Sequence, residues 1–520
     1  MKTLFRFLLL TSLFLSAGGR PAGAAMGRSA SPPLPSPIAL TALPAWATSL
    51  GQPPPPGIVE PALARALAAA SSGDMLPIIV VLREQATPEE AVQHAVDQAD
   101  VRARVVGDLQ ALADRTQPHL RAYLARAQAD GAVESYTPLW VFNGLAVRAR
   151  PSVVRALAAD PAVAAVRLDH YRRWLAHQPS AQLAAPAAVE WGVARVRAPE
   201  VWSALHISGT GAVVAGMDTG VDWLHPALQA NYRGYNPHGS HNHVGNWFDA
   251  VGGSLYPLDD HGHGTHTLGS AVGREGIGVA PGARWIGVKV LNSGGYAYDS
   301  WIHAGFQWLL APGGDANQAP DVVNCSWGSD NGFLTVFQAD LRALRAAGIF
   351  PVFSNGNNGP GPGTVGSPAS LPEAFAVGAT DQQDKVASFS SRGPSPWGEI
   401  RPHVAAPGVN VRSSLPGGRY GTLNGTSMAA PHVSGIAALL RSVSPTLSIS
   451  RAAHVLTTTA VPLGVSMPNN DTGWGRVDGF AAVVALAHPG FVSGTVRAAG
   501  GAAIAGATVA AAVHGGGDGG

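Results

Sequence analysis

Cysteine is nearly absent. The chain has one, Cys325, in 520 residues, so no internal disulfide can form. That residue sits in an apolar stretch, 322–327, and reads as a buried structural thiol. Charge is also scarce. Lys, Arg, Asp and Glu make up 13% of the chain, the net charge is +1, and neither sign forms a block. This excludes nucleic acid or an acidic polymer as an expected partner. Past the first residues, no apolar run of bilayer-spanning length is free of charge or proline. What is plentiful is apolar surface, at 46%, together with 64 Gly and 41 Pro. That composition suits a large core and a turn-rich globular fold, without disulfides to hold it.

The chain divides by composition. Residues 1–24 read as a secretion signal, with Lys2 and Arg6 before a short apolar run and Ala22-Gly23-Ala24 as the cleavage site. The protein is therefore expected to be secreted, with no membrane attachment after cleavage. Residues 25–75 read as a Pro-rich disordered spacer. Residues 76–170 carry a strand, a helical stretch interrupted near Pro118, two extended pieces around Asn143-Gly144, a helix and a last strand. This β-α-β-β-α-β order defines a small α+β, ferredoxin-like domain. Residues 171–188 are polar and Arg-rich and form a linker. From 189 to 487, apolar strand-length runs near 212–217, 285–291, 322–326, 349–354 and 375–379 alternate with helical stretches. Because the runs lack polar alternation, they imply an α/β fold, a doubly wound and mostly parallel sheet with helices on both faces. Residues 488–520 contain two short extended pieces and read as the start of a β-sandwich or as a disordered tail.

Three segments carry chemistry. An apolar strand ends in Asp218-Thr219-Gly220. A Gly-rich loop, Asp259-Asp260-His261-Gly262-His263-Gly264, enters a helix. A tight turn, Asn424-Gly425-Thr426-Ser427, delivers a serine to a helix start. A serine hydroxyl attacks a carbonyl only when a neighbouring imidazole accepts its proton. A buried carboxylate then fixes the imidazole tautomer and stabilises its cation. A serine at a helix N-terminus also offers its own N–H to a developing oxyanion.

All three segments resemble the signatures of the subtilisin-like serine proteases, with the match running from about 189 to 486. The order Asp, His, Ser is the one known for that family. The resemblance implies Ser427 as nucleophile, His263 as general base, Asp218 as orienting carboxylate and Asn357 as second oxyanion donor. It implies Ser326, Trp327 and Gly328 as the edge that pairs with an extended peptide, and Ser354, Gly356 and Gly366 around the first specificity pocket. A pocket floored by Gly366 should accept large apolar or aromatic side chains, while Trp327 narrows a more distant subsite. Residues 76–170 resemble the inhibitory propeptide of the same family, best in the stretch 141–147. The expected partners are extended protein or peptide substrates and the chain's own propeptide acting as an intramolecular inhibitor. Self-cleavage is expected between Tyr171 and Gln182, where Tyr171, Trp174 and Leu175 suit the pocket. The enzyme is expected to be a monomer.

The resemblance breaks in places. Ala227 stands where relatives place a calcium-binding Asp, so structural calcium is in doubt and the chemistry itself needs no cofactor; the metal content is left unknown. Residues 231–258, rich in Gly and His, read as a surface insertion. Rival readings find less support. His261, His263 and His266 could form a zinc cluster, but no H-E-x-x-H motif is present. A second Asp-Thr-Gly at Asp471 lacks the apolar strand that precedes the first, so an aspartic-protease pair is disfavoured. Ser427 lies in Gly-Thr-Ser-Met-Ala, which fails the G-x-S-x-G pattern of α/β-hydrolases.

Overall fold

The computed structural model describes residues 58–175, 182–183 and 189–487. The larger sheet has seven strands, all parallel. Their spatial order is Val404–Pro407, Phe375–Thr380, Phe350–Ser354, Val322–Cys325, Val213–Asp218, Arg284–Lys289 and Trp247–Asp249. Three of the central strands are buried throughout, as their unbroken apolar sequences require. Successive side chains point to opposite faces. Val214, Val322, Val352 and Val377 join a core under the helices His263–Val272 and Thr426–Val443. Ala215, Val323, Phe353 and Ala376 join a second core under the helices Asp299–Leu310 and Gln338–Ala346. The expected doubly wound sheet is thus present.

The chain leaves Val213–Asp218 toward one edge of the sheet, then returns to the other side of that strand as Val322–Cys325. The carboxyl ends of these two strands flank the point where the winding reverses, which is where open parallel sheets bind ligands.

Two strands of this sheet escaped the sequence reading. Val404–Pro407 carries proline at its end, and Trp247–Asp249 is too short to show a period. The latter corrects the reading of 231–258 as a surface insertion. Tyr232 and Trp247 are buried, and Trp247–Asp249 forms the sheet's edge.

The smaller sheet runs Ile58–Val59, Val163–Leu168, Leu76–Leu82, Gly144–Ala149, Val133–Leu139. Its last four strands pair antiparallel in the β-α-β-β-α-β arrangement expected. The boundary at 76 needs correction, because the domain begins at Ile58. Ile58–Val59 pairs with Val163–Leu168, and the helix Pro61–Ala69 buries Leu63 completely. Pro61 looked like spacer, yet at the first helical position its missing N–H costs nothing. The stretch expected to be a signal peptide, the expected spacer up to residue 57 and the tail after 487 lie outside the described residues.

This domain sits on the helices Asp299–Leu310 and Gln338–Ala346. Leu139, Val141, Phe142, Val105 and Leu109 share one continuous core with the larger sheet. Gln307 Oε1 accepts the N–H groups of Trp140 and Val141 at 2.6 and 3.2 Å. Ser300 donates its N–H and hydroxyl to Asp169 at 2.9 and 2.6 Å. Gln98 donates to the carbonyl of Ala347 at 2.9 Å, and Arg102 pairs with Asp321 at 3.3 Å.

The two site helices pack closely through small residues. A Cβ added at Gly435 would lie 2.6 Å from Val279 and 2.8 Å from the carbonyl oxygen of Ala271. Gly435→Ala is therefore expected to cost about 1–3 kcal/mol through overpacking. The measurement is the urea midpoint of the variant, and an unchanged midpoint would mean the helices separate freely.

Candidate active site

Asp218 is the last residue of its strand, 1% exposed. Its Oδ1 accepts the N–H of Thr219 at 2.7 Å, and both oxygens face His263 Nδ1 at 2.8 and 3.0 Å. A carboxylate can only accept, so the shared proton resides on Nδ1 and the Nε2 lone pair is free to act as a base. His263 opens its helix and is 2% exposed.

Asp259 holds this helix start in place. Its carboxylate accepts from the N–H groups of His261, Gly262 and Thr265 at 3.1, 2.8 and 2.9 Å. It also accepts from the hydroxyls of Thr265 and Thr219 at 2.6 and 2.9 Å. The Thr219 hydroxyl in turn accepts from Gly264 N at 2.9 Å. The residue after Asp218 is thereby tied to the residue after His263. Lys289, buried at the end of the next strand, donates to the carbonyls of Thr219 and Leu291 at 2.6 and 3.0 Å and to Asp260 at 2.6 Å.

Ser427 lies in the first turn of the helix Thr426–Val443, after Gly425 at φ +149°. Pro431, four residues on, has no N–H, so the Ser427 carbonyl lacks its helical donor. The hydroxyl of Ser326 supplies the missing bond at 2.8 Å. Asn324 then donates to that hydroxyl at 2.9 Å, and Ser434 donates to Asn324 at 3.0 Å. This buried chain locks the helix Thr426–Val443 to the strand Val322–Cys325. Ser427 Oγ itself donates to the carbonyl of Ser326 at 2.9 Å. Among the described residues, His263 Nε2 has no hydrogen-bond partner.

Asn357 Oδ1 accepts from the N–H and hydroxyl of Thr426 at 3.0 and 2.9 Å. Two donors on one atom identify it as the oxygen, leaving the NH₂ end free for another acceptor. Gly356, at φ +105°, donates its N–H to the Thr426 hydroxyl at 3.2 Å. Asn355 and Asn358 instead fix the turn, on the carbonyl of Ser391 and on Asp330. Ser354 ends its strand, buried. Gly366 admits no Cβ, which would lie 2.4 Å from the carbonyl oxygen of Ser329.

Residues 171–175 run between two edges. Tyr171–Arg173 pairs antiparallel with Tyr296–Tyr298, a strand absent from the linker reading of 171–188. Trp174 donates to Gly295 O at 2.9 Å and accepts from Gly328 N at 2.9 Å. Its indole is 1% exposed, edge-on to Trp327 at 5.7 Å and 5.4 Å from Phe337. Trp327 is fixed by its own N–H on the carbonyl of Met217 at 2.7 Å.

The rival assignments separate. His266 is buried on the carbonyls of Val411 and Gly421, and burial holds it down at about 3. Among the described residues no group of three or more His, Cys, Asp or Glu could hold a metal ion. Asp471 pairs with Arg392 at 3.1 Å and stays apart from Asp218. Cys325 is buried, and desolvation pushes its thiol up, away from the reactive thiolate. Ala227 is buried in the helix Pro226–Gln229 and offers no side-chain oxygen, so that position does not fit a calcium ligand.

Sequence reasoning missed Thr426, Asn324, Ser434, Asp259 and the edge 295–298. Thr426, Asn324 and Ser434 act through side-chain bonds across the fold and the edge through bare backbone, while Asp259 acts on the loop and helix start just after it.

A carboxylate-held imidazole and a helix-start serine, set in the crevice of a parallel sheet, are the parts of serine hydrolases that work by acyl transfer. Residues 209–475 match the subtilase family, and residues 78–174 match the peptidase inhibitor I9 family. Bacillopeptidase F of Bacillus subtilis (strain 168) is 42% identical over 449 residues, 78% of this chain and 31% of that protein. An alkaline protease of Alkalihalobacillus alcalophilus is 36% identical, over 62% of this chain and 74% of that protein. Subtilisin E of Bacillus subtilis (strain 168) is 35% identical, over 62% of this chain and 77% of that protein. The chain thus spans about a third of bacillopeptidase F and about three quarters of the two shorter relatives. The chain belongs to the subtilase family of serine endopeptidases, and an inhibitor I9 domain precedes its catalytic domain.

Thr426→Val tests the anchoring of Asn357. Loss of one of its two anchors is expected to lower kcat about tenfold with KM little changed. Asn357→Ala should lose roughly 10²–10³-fold, the loss measured for an oxyanion donor in a subtilisin. Equal kcat in wild type and Thr426→Val would show that the amide needs no second anchor.

Proposed function

We propose that this chain is a secreted serine endopeptidase, made as a zymogen, whose catalytic groups are Asp218, His263, Ser427 and Asn357. The observation that carries the reading is the buried Asp218–His263 pair beside a helix-start serine.

Rotation about χ1 would swing Ser427 Oγ from the Ser326 carbonyl toward His263 Nε2. As Oγ bonds to the substrate carbonyl carbon, its proton passes to Nε2. The carbonyl oxygen becomes an oxyanion, met by the Ser427 N–H and the Asn357 amide. Collapse breaks the peptide C–N bond, and His263 returns the proton to the leaving amine. Water, deprotonated by the same imidazole, then cleaves the acyl ester and restores the serine. Asp218 stays ionised and stabilises the imidazolium.

Substrates bind extended, adding a strand between 295–298 and 326–328, so affinity depends on backbone more than on sequence. The pocket around Gly366 takes a large apolar or aromatic residue before the scissile bond. Residues 58–175 act as an intramolecular inhibitor that enters the cleft as a substrate would. Self-cleavage falls between Tyr171 and Gln182, and the released domain stays as a weak inhibitor. The mature enzyme works as a monomer, and any structural calcium serves stability rather than the chemical step.

Three outcomes follow from this reading. Purified Ser427→Ala should fold, fail to hydrolyse peptides and take no fluorophosphonate label, while the wild type is labelled on Ser427. Intact-mass measurement should find residues 58–168 retained in Ser427→Ala and lost from the wild type. Trimming of the inactive form at the same place, without other proteases, would rule out self-processing. Incubation with EDTA should lower thermal stability at most; a rate that vanishes with chelator and returns only with zinc would overturn the serine mechanism.

A further inference from the structure

Three chain segments, 326–330, 354–358 and 364–368, converge on the pocket that precedes the nucleophile. Ser329 and Ser367 exchange N–H to carbonyl bonds at 2.8 and 3.0 Å. The N–H of Gly366 donates to the carbonyl of Asn355 at 3.2 Å. These bonds close the floor and leave no room for a side chain at Gly366. A further link crosses between the segment ends. The side-chain amide of Asn358 donates to Asp330 Oδ1 at 2.7 Å. Asn358 directly follows Asn357, and Asp330 lies two residues past Gly328. Both are exposed.

The chemistry of this link matters. Asp330 is held by a neutral amide, and no Lys, Arg or His among the described residues pairs with it. Arg392, whose N–H donates to the Thr364 hydroxyl, has its guanidinium engaged with Asp471 at 3.1 Å. A full negative charge therefore stands at a fixed place where two walls of the pocket end, neutralised by neither wall. Below it the floor is Gly366 and the paired backbone of Ser329 and Ser367, while Val365 is turned into the core behind it. A pocket floored by glycine and paired backbone, with an anionic mouth, suits a long side chain whose stem enters and whose cationic head stays at the rim.

We infer that Asp330, positioned by Asn358, is a specificity-determining residue that admits Lys and Arg before the scissile bond alongside the apolar and aromatic residues the pocket already takes. The inference rests on the serine endopeptidase reading above and deepens it by naming a second substrate class. Acidic residues at the same place are disfavoured by the same charge.

The test uses self-processed wild-type enzyme and peptides identical except for Phe, Lys, Arg or Glu before the cleaved bond. Rates are normalised to active sites counted by fluorophosphonate labelling, so misfolded protein does not enter. Asp330→Asn, nearly isosteric and exposed, should lower the ratio of kcat/KM for Lys or Arg over Phe about three- to fivefold, the size of one partly exposed ion pair. Asp330→Lys should lower that ratio at least ~20-fold and raise the ratio for Glu over Phe, since like charges then meet. The wild-type Lys/Phe ratio should fall as NaCl is raised to about 1 M, where screening acts within a few ångströms, and that of Asp330→Asn should not. Ratios that stay the same in both variants overturn the inference while leaving the protease reading intact. A wild-type enzyme that neither labels nor cleaves overturns the protease reading, and the inference with it.

Discussion

A carboxylate 1% exposed to water is tolerable only if its oxygens are bonded and its charge is answered. Asp218 meets that condition with one backbone N–H and one imidazole, and the surrounding framework maintains both. Asp259 fixes the turn that brings His263 in. Thr219 joins that turn to the residue after Asp218. Lys289 ties down the carbonyls and Asp260 nearby. Removing any of these tethers frees the imidazole to move, and an unpaired buried carboxylate costs several kcal/mol. The pair is therefore both the chemical centre and the structural constraint around which the strand ends are arranged.

The nucleophile side obeys a different constraint, set by Pro431. Proline inside a helix removes one hydrogen bond, and here the orphaned acceptor belongs to the nucleophile itself. The structure answers with Ser326, which links the Ser427 helix to the end of the strand Val322–Cys325. One serine thus satisfies the helix through its hydroxyl and receives the Ser427 hydroxyl on its carbonyl. On this side the Ser427 hydroxyl rests on the Ser326 carbonyl, while on the other His263 Nε2 has no partner among the described residues.

Sequence alone reached the sheet and the triad segments because both have local signatures. Unbroken apolar runs marked the strands buried on two faces, and glycines marked the turns that carry Asp218, His263 and Ser427. It failed where the signal was not local. Pro61 at a helix start looked like spacer. Trp247–Asp249, only three residues long, looked like insertion. The edge Tyr296–Tyr298 is recognised as a strand only through its partner Tyr171–Arg173. Thr426 acts by pinning Asn357 across the turn, a relation that neither residue's neighbours reveal.

The docked segment shows why an inhibitor built into the chain can also be released. Its grip is largely apolar, through Trp174, Leu175, Phe142 and their neighbours in the shared core. Its polar groups are less well served. Among the described residues, the indole N–H of Trp174 and the Nε groups of Arg167 and Arg172 are buried without a partner. Burial also pushes the carboxyls of Asp169 and Asp299 above their usual range, the mark of charge held against desolvation. Each buried, unbonded donor costs about 1–3 kcal/mol relative to water. While the segment is covalently attached, its local concentration is high enough to hold it against those costs. Once the connecting chain is cut, that advantage is gone and the unsatisfied groups favour departure. A segment with every donor paired would inhibit more tightly and leave more slowly. The polar fit at Arg167, Arg172 and Trp174 is thus less complete than the apolar fit around Trp174, Leu175 and Phe142, and it sets a limit on how tightly the segment could hold on its own.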